Sequence, residues 1–206
     1  MGLESLDGLR SFCLELSSEQ PSPGGGTAAA ASGAMAASLL IMVCGVTSRS
    51  GKHEQSRPEL LKMTAELAEL RDRFLSLSRE DARAYDGVVA AFKRRKERED
   101  EAAQKAVEVA LKHAAEVPLR TAEACDHVLI LAGKVAVLGT RSASSDVGVA
   151  VLLAEAGLNG AALNVRINLK SISDKSFAAQ AEDKIRALED GAGKTSRAVL
   201  AMLAEK

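Results

Sequence analysis

The stretch Pro21-Ser22-Pro23-Gly24-Gly25-Gly26-Thr27-Ala28-Ala29-Ala30-Ala31-Ser32-Gly33-Ala34-Met35-Ala36-Ala37 decides the fold class. Prolines fix φ on one side of the join, and three glycines allow positive φ and close backbone approach on the other. A helix beginning near Thr27 then presents free N–H groups to an anion or a carboxylate. Within that helix the small residues Ala29, Ala30, Gly33, Ala36 and Ala37 let another backbone come very near, which suits a helix buried on every side. The same loop also reads as a plain strained connector between two packed helices. Nucleotide readings fail on spacing. A Walker loop needs lysine and then Ser or Thr after its last glycine, and a dinucleotide turn needs a strand before its glycines. Here Thr27 follows directly, and Leu6, Leu9, Phe12, Cys13 and Leu16 precede the loop at helical spacing.

Helical periodicity continues nearly end to end, and no stretch alternates like a half-buried strand. It predicts helices near Leu3 to Leu16, Thr27 to Ser48, Pro58 to Arg95, Asp100 to Leu138, Ser144 to Leu169 and Asp174 to Leu188. Pro118 is expected to end or kink the fourth helix near Val117, and Gly191-Ala192-Gly193 to break the sixth before a short terminal helix. The fifth helix is apolar almost all round from Val147 to Val165, and such a helix has to be internal. The expectation is an all-α, antiparallel helical bundle of about six helices in a single domain spanning 1–206. One chain of this size struggles to surround two internal helices, so a homodimer that buries them at a shared interface is the natural solution.

Composition narrows the function classes. Hydrophobic residues make up 47% and aromatic residues only 2%, so the core is built from Ala, Leu and Val. The formal net charge of −1 argues against nucleic acid or an anionic membrane as a partner. Cys13, Cys44 and Cys125 are widely separated, which excludes a disulfide framework or zinc knuckle and fits a reducing cytoplasm. His53, His113 and His127 lack ligand spacing, and no metal site is expected. No basic segment precedes an apolar one at the N-terminus, which disfavours a cleaved signal. Ala28 to Thr47 is uncharged and long enough to span a membrane. Its Ala, Gly and Ser content and missing basic flank make it a buried helix instead.

Polar residues then stand out where the pattern wants apolar ones. Leu67, Leu70, Phe74, Leu77, Asp81, Tyr85, Val88 and Phe92 form a stripe with steps of three or four. A carboxylate facing a core is costly unless paired, and burial raises its pKa toward the range useful to a general acid or base. The structural alternative for Asp81 is an interhelix hydrogen bond or ion pair, for instance to an arginine. In Arg141-Ser142-Ala143-Ser144-Ser145-Asp146, capping alone favours Ser144 or Ser145 as N-cap with Asp146 in the first turn. If the fifth helix is internal, its start opens onto a protein-lined space where that carboxylate and free N–H groups converge. Gly157, Gly160, Ala161, Asn164 and Asn168 share one face, and the two amides can bridge helices or hold a heterocycle.

Four motifs occur in order: Pro21 to Thr27 leading into the Ala-rich helix, Asp81-Ala82-Arg83-Ala84-Tyr85-Asp86, Val117-Pro118-Leu119, and Ser144 to Ala150 running on to Asn164-Val165-Arg166-Ile167-Asn168-Leu169. With them the chain resembles the formiminotetrahydrofolate cyclodeaminase and methenyltetrahydrofolate cyclohydrolase family over nearly its whole length. The resemblance implies an all-helical homodimer that binds a tetrahydrofolate derivative as substrate, without a further cofactor. Its pocket is lined by the glycine loop and the fifth helix. It implies hydrolysis of 5,10-methenyltetrahydrofolate to 10-formyltetrahydrofolate, with cyclodeamination of 5-formiminotetrahydrofolate, or folate binding without catalysis, as alternatives. Asp81 and Asp146 are then the catalytic pair. One activates water, and the other stabilises the cationic substrate or anchors the pterin. Substrate contacts fall to Gly24, Gly25, Gly26, Thr27, Tyr85, Ser145, Asn164 and Asn168, with Lys52 and Arg141 for the glutamate tail. The chain departs from the family pattern at Gly45, Ser50 to His53, Thr140 and Phe92 to Arg95, which bears on substrate choice.

Overall fold

Helix signals and caps divide the chain into six α-helices, and the computed structural model describes residues 5–98 and 100–205, apart from the side chains of Ser5 and Lys52. The order is α1 (Ser5–Leu16), α2 (Gly25–Ser48), a 3-10 turn (Gly51–Ser56), α3 (Arg57–Glu97), α4 (Glu101–Leu138), a second 3-10 turn (Arg141–Ala143), α5 (Ser144–Leu169) and α6 (Lys175–Ala204). No strand occurs among the described residues. Asp100 caps α4 by accepting from the Ala103 N–H at 2.7 Å, and Asp174 caps α6 by accepting from Phe177 at 3.0 Å. Each cap of this kind contributes about 1 kcal/mol.

The long helices pack as antiparallel neighbours. Along α3 and α4, Glu80 pairs with Arg120 and Glu66 with His127. Along α2 and α5, Gly25 lies against Asn164, and further on Ser32 Oγ donates to the Leu153 carbonyl at 2.7 Å. Small residues set how closely these helices approach. A Cβ at Gly33 would lie 2.6 Å from Phe74 Cζ, and one at Gly157 would lie 2.9 Å from the Ala29 carbonyl oxygen. Around this centre the α3 stripe Leu60, Met63, Leu67, Leu70, Phe74 and Leu77 is buried, as are Val128, Leu129, Leu131 and Val135 of α4. α6 closes the bundle against α4 and α5, where Arg166 reaches both Glu182 and Glu189.

Five expectations need correction. α2 begins at Gly25, two residues before Thr27, with Gly24 as its cap. No described glycine has positive φ, so the loop glycines serve close approach and not an unusual backbone. α5 is capped at Ala143, without a side-chain cap, because the 3-10 turn over Arg141–Ala143 winds straight into it. α6 runs unbroken through Gly191 and Gly193. Glycine costs about 1 kcal/mol relative to alanine in a helix, and burial of Ile185, Ala192 and Val199 offsets that cost. α4 likewise runs through Pro118.

The two apolar helices are expected to be more than one chain can surround. α2 and α5 are both long and apolar enough to cross a membrane by length and composition, yet each is only about half buried by its neighbours. Ala29, Ala30, Gly33, Ala36 and Ala37 face inward as expected. Met35, Met42 and Val46 on α2, and Val149, Leu152 (54% exposed) and Leu163 (67% exposed) on α5, face outward. Within one chain, each of these helices therefore keeps an uncovered apolar stripe.

Candidate active site

Where the start of α2 meets the middle of α3 and the end of α5, a cavity of about 520 Å³ opens. Pro21, Ser22 and Gly24 to Gly26 form one wall. Asp81, Ala84, Tyr85, Val88 and Phe92 line it from α3, Leu111 and Ala114 from α4, and Asn164, Ile167, Asn168, Lys170 and Ser171 from the end of α5. The α3 residues recur every three or four positions, so one face of a straight helix lines the cleft from Asp81 to Phe92, about 16 Å at the usual helical rise.

Asp81 sits at the inner end. Its Oδ2 accepts a hydrogen bond from Thr27 Oγ1 at 2.9 Å. A Cβ at Gly26 would lie 2.7 Å from both Asp81 Cγ and Oδ2, so only glycine lets the carboxylate press against the first turn of α2. The N-terminus of α2 therefore faces a carboxylate of the protein itself. Burial pushes the Asp81 carboxyl above its ordinary value, while hydrogen bonds from the hydroxyl and backbone of Thr27 pull it down by less. Of the structural alternative weighed for Asp81, the interhelix hydrogen bond is present, from Thr27, while among the described residues Arg120 pairs with Glu80 instead. A partly desolvated carboxylate with a raised pKa, fixed by one hydroxyl and open to a cavity, has the properties of a general base or acid.

The outer end has the opposite charge. Lys170 lies on the rim, and the Arg95 guanidinium stacks over the Phe92 ring at 4.8 Å from its centroid. The stripe Asp81, Tyr85, Val88 and Phe92 thus runs from an anion to a cation, over about 21 Å as far as Arg95. Between the two ends the walls are largely apolar, with the Tyr85 phenol, the hydroxyls of Ser22 and Ser171 and the amides of Asn164 and Asn168 among them.

A sequence model of the formiminotransferase-cyclodeaminase family matches residues 8–187. The chain belongs to that family. A methenyltetrahydrofolate cyclohydrolase from Methylorubrum extorquens is 39% identical over 183 residues, covering 88% of this chain and 86% of that protein. The formimidoyltransferase-cyclodeaminase of Sus scrofa is 32% identical over 182 residues, and there the chain spans about a third of the relative's length, 34%. A crystal structure of formiminotetrahydrofolate cyclodeaminase from Thermotoga maritima has a TM-score of 0.88 and 29% identity, with 96% of each chain covered.

The family motifs do not all meet in one chain. Gly24, Gly25, Gly26, Tyr85, Asn164 and Asn168 line the cavity with Asp81, and Thr27 touches it through that carboxylate. Asp146, Arg141 and Ser145 do not line it. Asp146 stands in the first turn of α5, eighteen residues before Asn164, which is about 27 Å along the helix. Lys52 belongs to the 3-10 turn beyond the C-terminus of α2, at that same far end, and its side chain lies outside the described residues. The far end is tied together by the Thr140 N–H donating to Thr47 Oγ1 at 3.1 Å. The expectation that α5 starts in a shared protein-lined space rests on a second chain covering its outward stripe.

The sequence reading missed Lys170, which lines the cleft, and Arg95, which stacks over its Phe92. Arg95 was readable as the next step of the stripe after Phe92, whereas Lys170 sits where α5 ends and no periodicity points to it. The two amides also differ in role. Asn164 Nδ2 donates within its own helix to the Gly160 carbonyl at 2.8 Å. Asn168 Nδ2 crosses to α4 and donates to the Ala114 carbonyl at 2.7 Å.

Proposed function

We propose that the protein hydrolyses 5,10-methenyltetrahydrofolate to 10-formyltetrahydrofolate, with Asp81 as the base. The observation that carries this reading is the Asp81 carboxylate, held by Thr27 in a cleft that Lys170 also lines and that reaches Phe92, over which Arg95 stacks. That polarity matches a substrate with a cationic amidinium at one end of its reacting half and an anionic glutamate tail at the other. In this orientation the amidinium carbon lies near Asp81 and the tail runs out past Phe92 toward Lys170 and Arg95, which take the role first given to Lys52 and Arg141. The likeness to the Methylorubrum cyclohydrolase over most of both chains supports the choice of reaction.

The chemistry follows from the charges. Water adds to the amidinium carbon as Asp81 takes one of its protons, giving a neutral tetrahedral adduct. On collapse the adduct hydroxyl loses its proton to solvent, the carbon–N5 bond breaks, and N5 receives the proton held by Asp81. One proton is released overall, matching the loss of the substrate's positive charge. A carboxyl with a raised pKa suits both halves, because it accepts and returns a proton near neutrality more readily than an ordinary aspartate. Thr27 fixes the carboxylate's direction, and the apolar walls orient the substrate.

The apolar stripes of α2 and α5 support a homodimer in which each covers the other's. The absorbance decay of 5,10-methenyltetrahydrofolate tests the catalytic reading. Protein-dependent, saturable acceleration over the spontaneous rate is expected, and no acceleration would reject it. Cyclodeamination is the second reading, favoured by the pig and Thermotoga relatives. There N10 attacks the formimino carbon and the same carboxyl protonates departing ammonia. Ammonia released from 5-formiminotetrahydrofolate, without hydrolysis of the methenyl compound, would replace the first reading with this one.

A further inference from the structure

Pro118 lies inside α4 and buried, where its missing N–H leaves the carbonyl four residues earlier without its helical donor. That carbonyl belongs to Ala114, which lines the cavity. It is the same carbonyl that accepts from Asn168 Nδ2 at 2.7 Å. The partner's chemistry fixes which way the amide points, because a carbonyl oxygen can only accept and so the nitrogen must face it. The Asn168 oxygen then lies on the other side of the amide, at the cavity wall, with no protein donor among the described residues.

We infer that Pro118 is a positioning residue for the pocket: it frees the Ala114 carbonyl so that Asn168 locks α5 to α4 and holds its own Oδ1 toward the substrate as an acceptor. Asn168 is therefore neither a free ligand nor a mere bridge between helices, and Pro118 acts only through it. Restoring the N–H at position 118 gives the carbonyl a second donor and loosens the amide. Removing the amide in the presence of proline leaves the carbonyl without any donor.

The test is a double-mutant cycle on the full chain with Pro118→Ala, Asn168→Ala and the two combined. Asn168→Ala alone is expected to lower Tm by about 3–8 °C, the usual consequence of leaving one interior polar group unpaired in a chain of this size. Adding Pro118→Ala should recover most of that loss, because the backbone N–H restored at position 118 now serves the carbonyl. The kinetic arm rests on the proposed folate reaction. KM for 5,10-methenyltetrahydrofolate should rise about 3- to 10-fold in Asn168→Ala, with kcat little changed, and stay raised in the double variant. Pro118→Ala alone should shift the side-chain amide resonance of Asn168 in a nitrogen–proton correlation spectrum.

Additive Tm losses, or an unmoved amide resonance, would overturn the link between Pro118 and Asn168. Recovery of KM along with Tm in the double variant would overturn the substrate-facing half. A wild-type protein without turnover that still showed the Tm rescue would refute the folate reading and uphold the positioning pair.

Discussion

The two ends of the α2–α5 pair carry similar residues and differ in what they build. At one end, glycines and a threonine meet Asp81, which arrives from a third helix and is pressed into the first turn of α2. At the other, Thr140, Arg141, Ser144, Ser145 and Asp146 follow one another in sequence, and Asp146 sits in the first turn of its own helix, where a carboxylate complements the helix dipole. An aspartate brought from a separate element is desolvated by walls it did not choose, and its pKa is raised by burial. An aspartate in its own first turn needs no further explanation than the helix. Similar composition therefore yields a partly buried carboxyl with a raised pKa at one end and a helix start at the other.

The sharpest way to break this comparison is Asp81→Asn, which keeps the shape and the Thr27 contact but removes the base. Turnover should fall by about 10²- to 10⁴-fold while the far-ultraviolet circular dichroism stays helical. In the wild type the acid limb of kcat should fall as pH drops through a pKa above the usual aspartate range. Protonation removes the base, and the folded pKa is raised. An acid limb at the ordinary aspartate value would show that Asp81 does not control the rate. For stability the sign is opposite: the protonated carboxyl suits the buried site better, so this group favours folding below its unfolded pKa and loses that contribution as pH rises through the folded value.

Next in size is Gly26→Ala. Its Cβ must push the Asp81 carboxylate aside, so kcat should fall about 10- to 100-fold, with about 1–3 kcal/mol lost in denaturant unfolding from overpacking. The contrast variant is Gly45→Ala, beside which a Cβ meets nothing within 4 Å. An active, stable Gly26→Ala protein would mean that Asp81 does not need its seat on α2.

The outward stripes sharpen the comparison at the level of assembly. Leu152→Glu combined with Met42→Glu should convert a dimer to monomers in sedimentation velocity, since each places a charge on an apolar face. An unchanged sedimentation coefficient in the dimer range would place the interface elsewhere. The smallest effect is expected for Asp146→Asn, within about twofold in kcat/KM, as for a surface change. If that variant is inactive instead, mixing it with Asp81→Asn protein decides the reason. Activity recovered in the mixture means that Asp146 serves the partner's cavity across the dimer, and none means that it acts within its own chain.

Much of the fold was legible because periodicity reports which side of a helix is apolar. The bounds of α5 and the C-terminal ends of α1, α2 and α4 fall at the expected residues, and the α3 stripe singled out Asp81 as the polar residue in an apolar row. Legibility failed where tertiary contacts override local cost. Pro118 and the glycines of α6 are poor helix residues, and only their neighbours show why the helices continue through them: an amide from α5 in one case, a buried seam in the other. Periodicity likewise reads α2 and α5 as apolar without saying whether the rest of the chain suffices to cover them.

By itself the sequence determined the helical class, the number of long helices, the small-residue surfaces that let them approach, and the membership of Asp81 in a buried row. Each of these depends on residues close together in the chain, where spacing fixes the geometry. Only the tertiary structure decided which motifs share a cavity. It joined Thr27, Asp81, Asn164 and Asn168, which are up to 141 positions apart, and it held Asp146 a full helix length away. The direction in which long helices run, and so which of their ends meet, is set by the packing of whole faces, and no local pattern of residues records it.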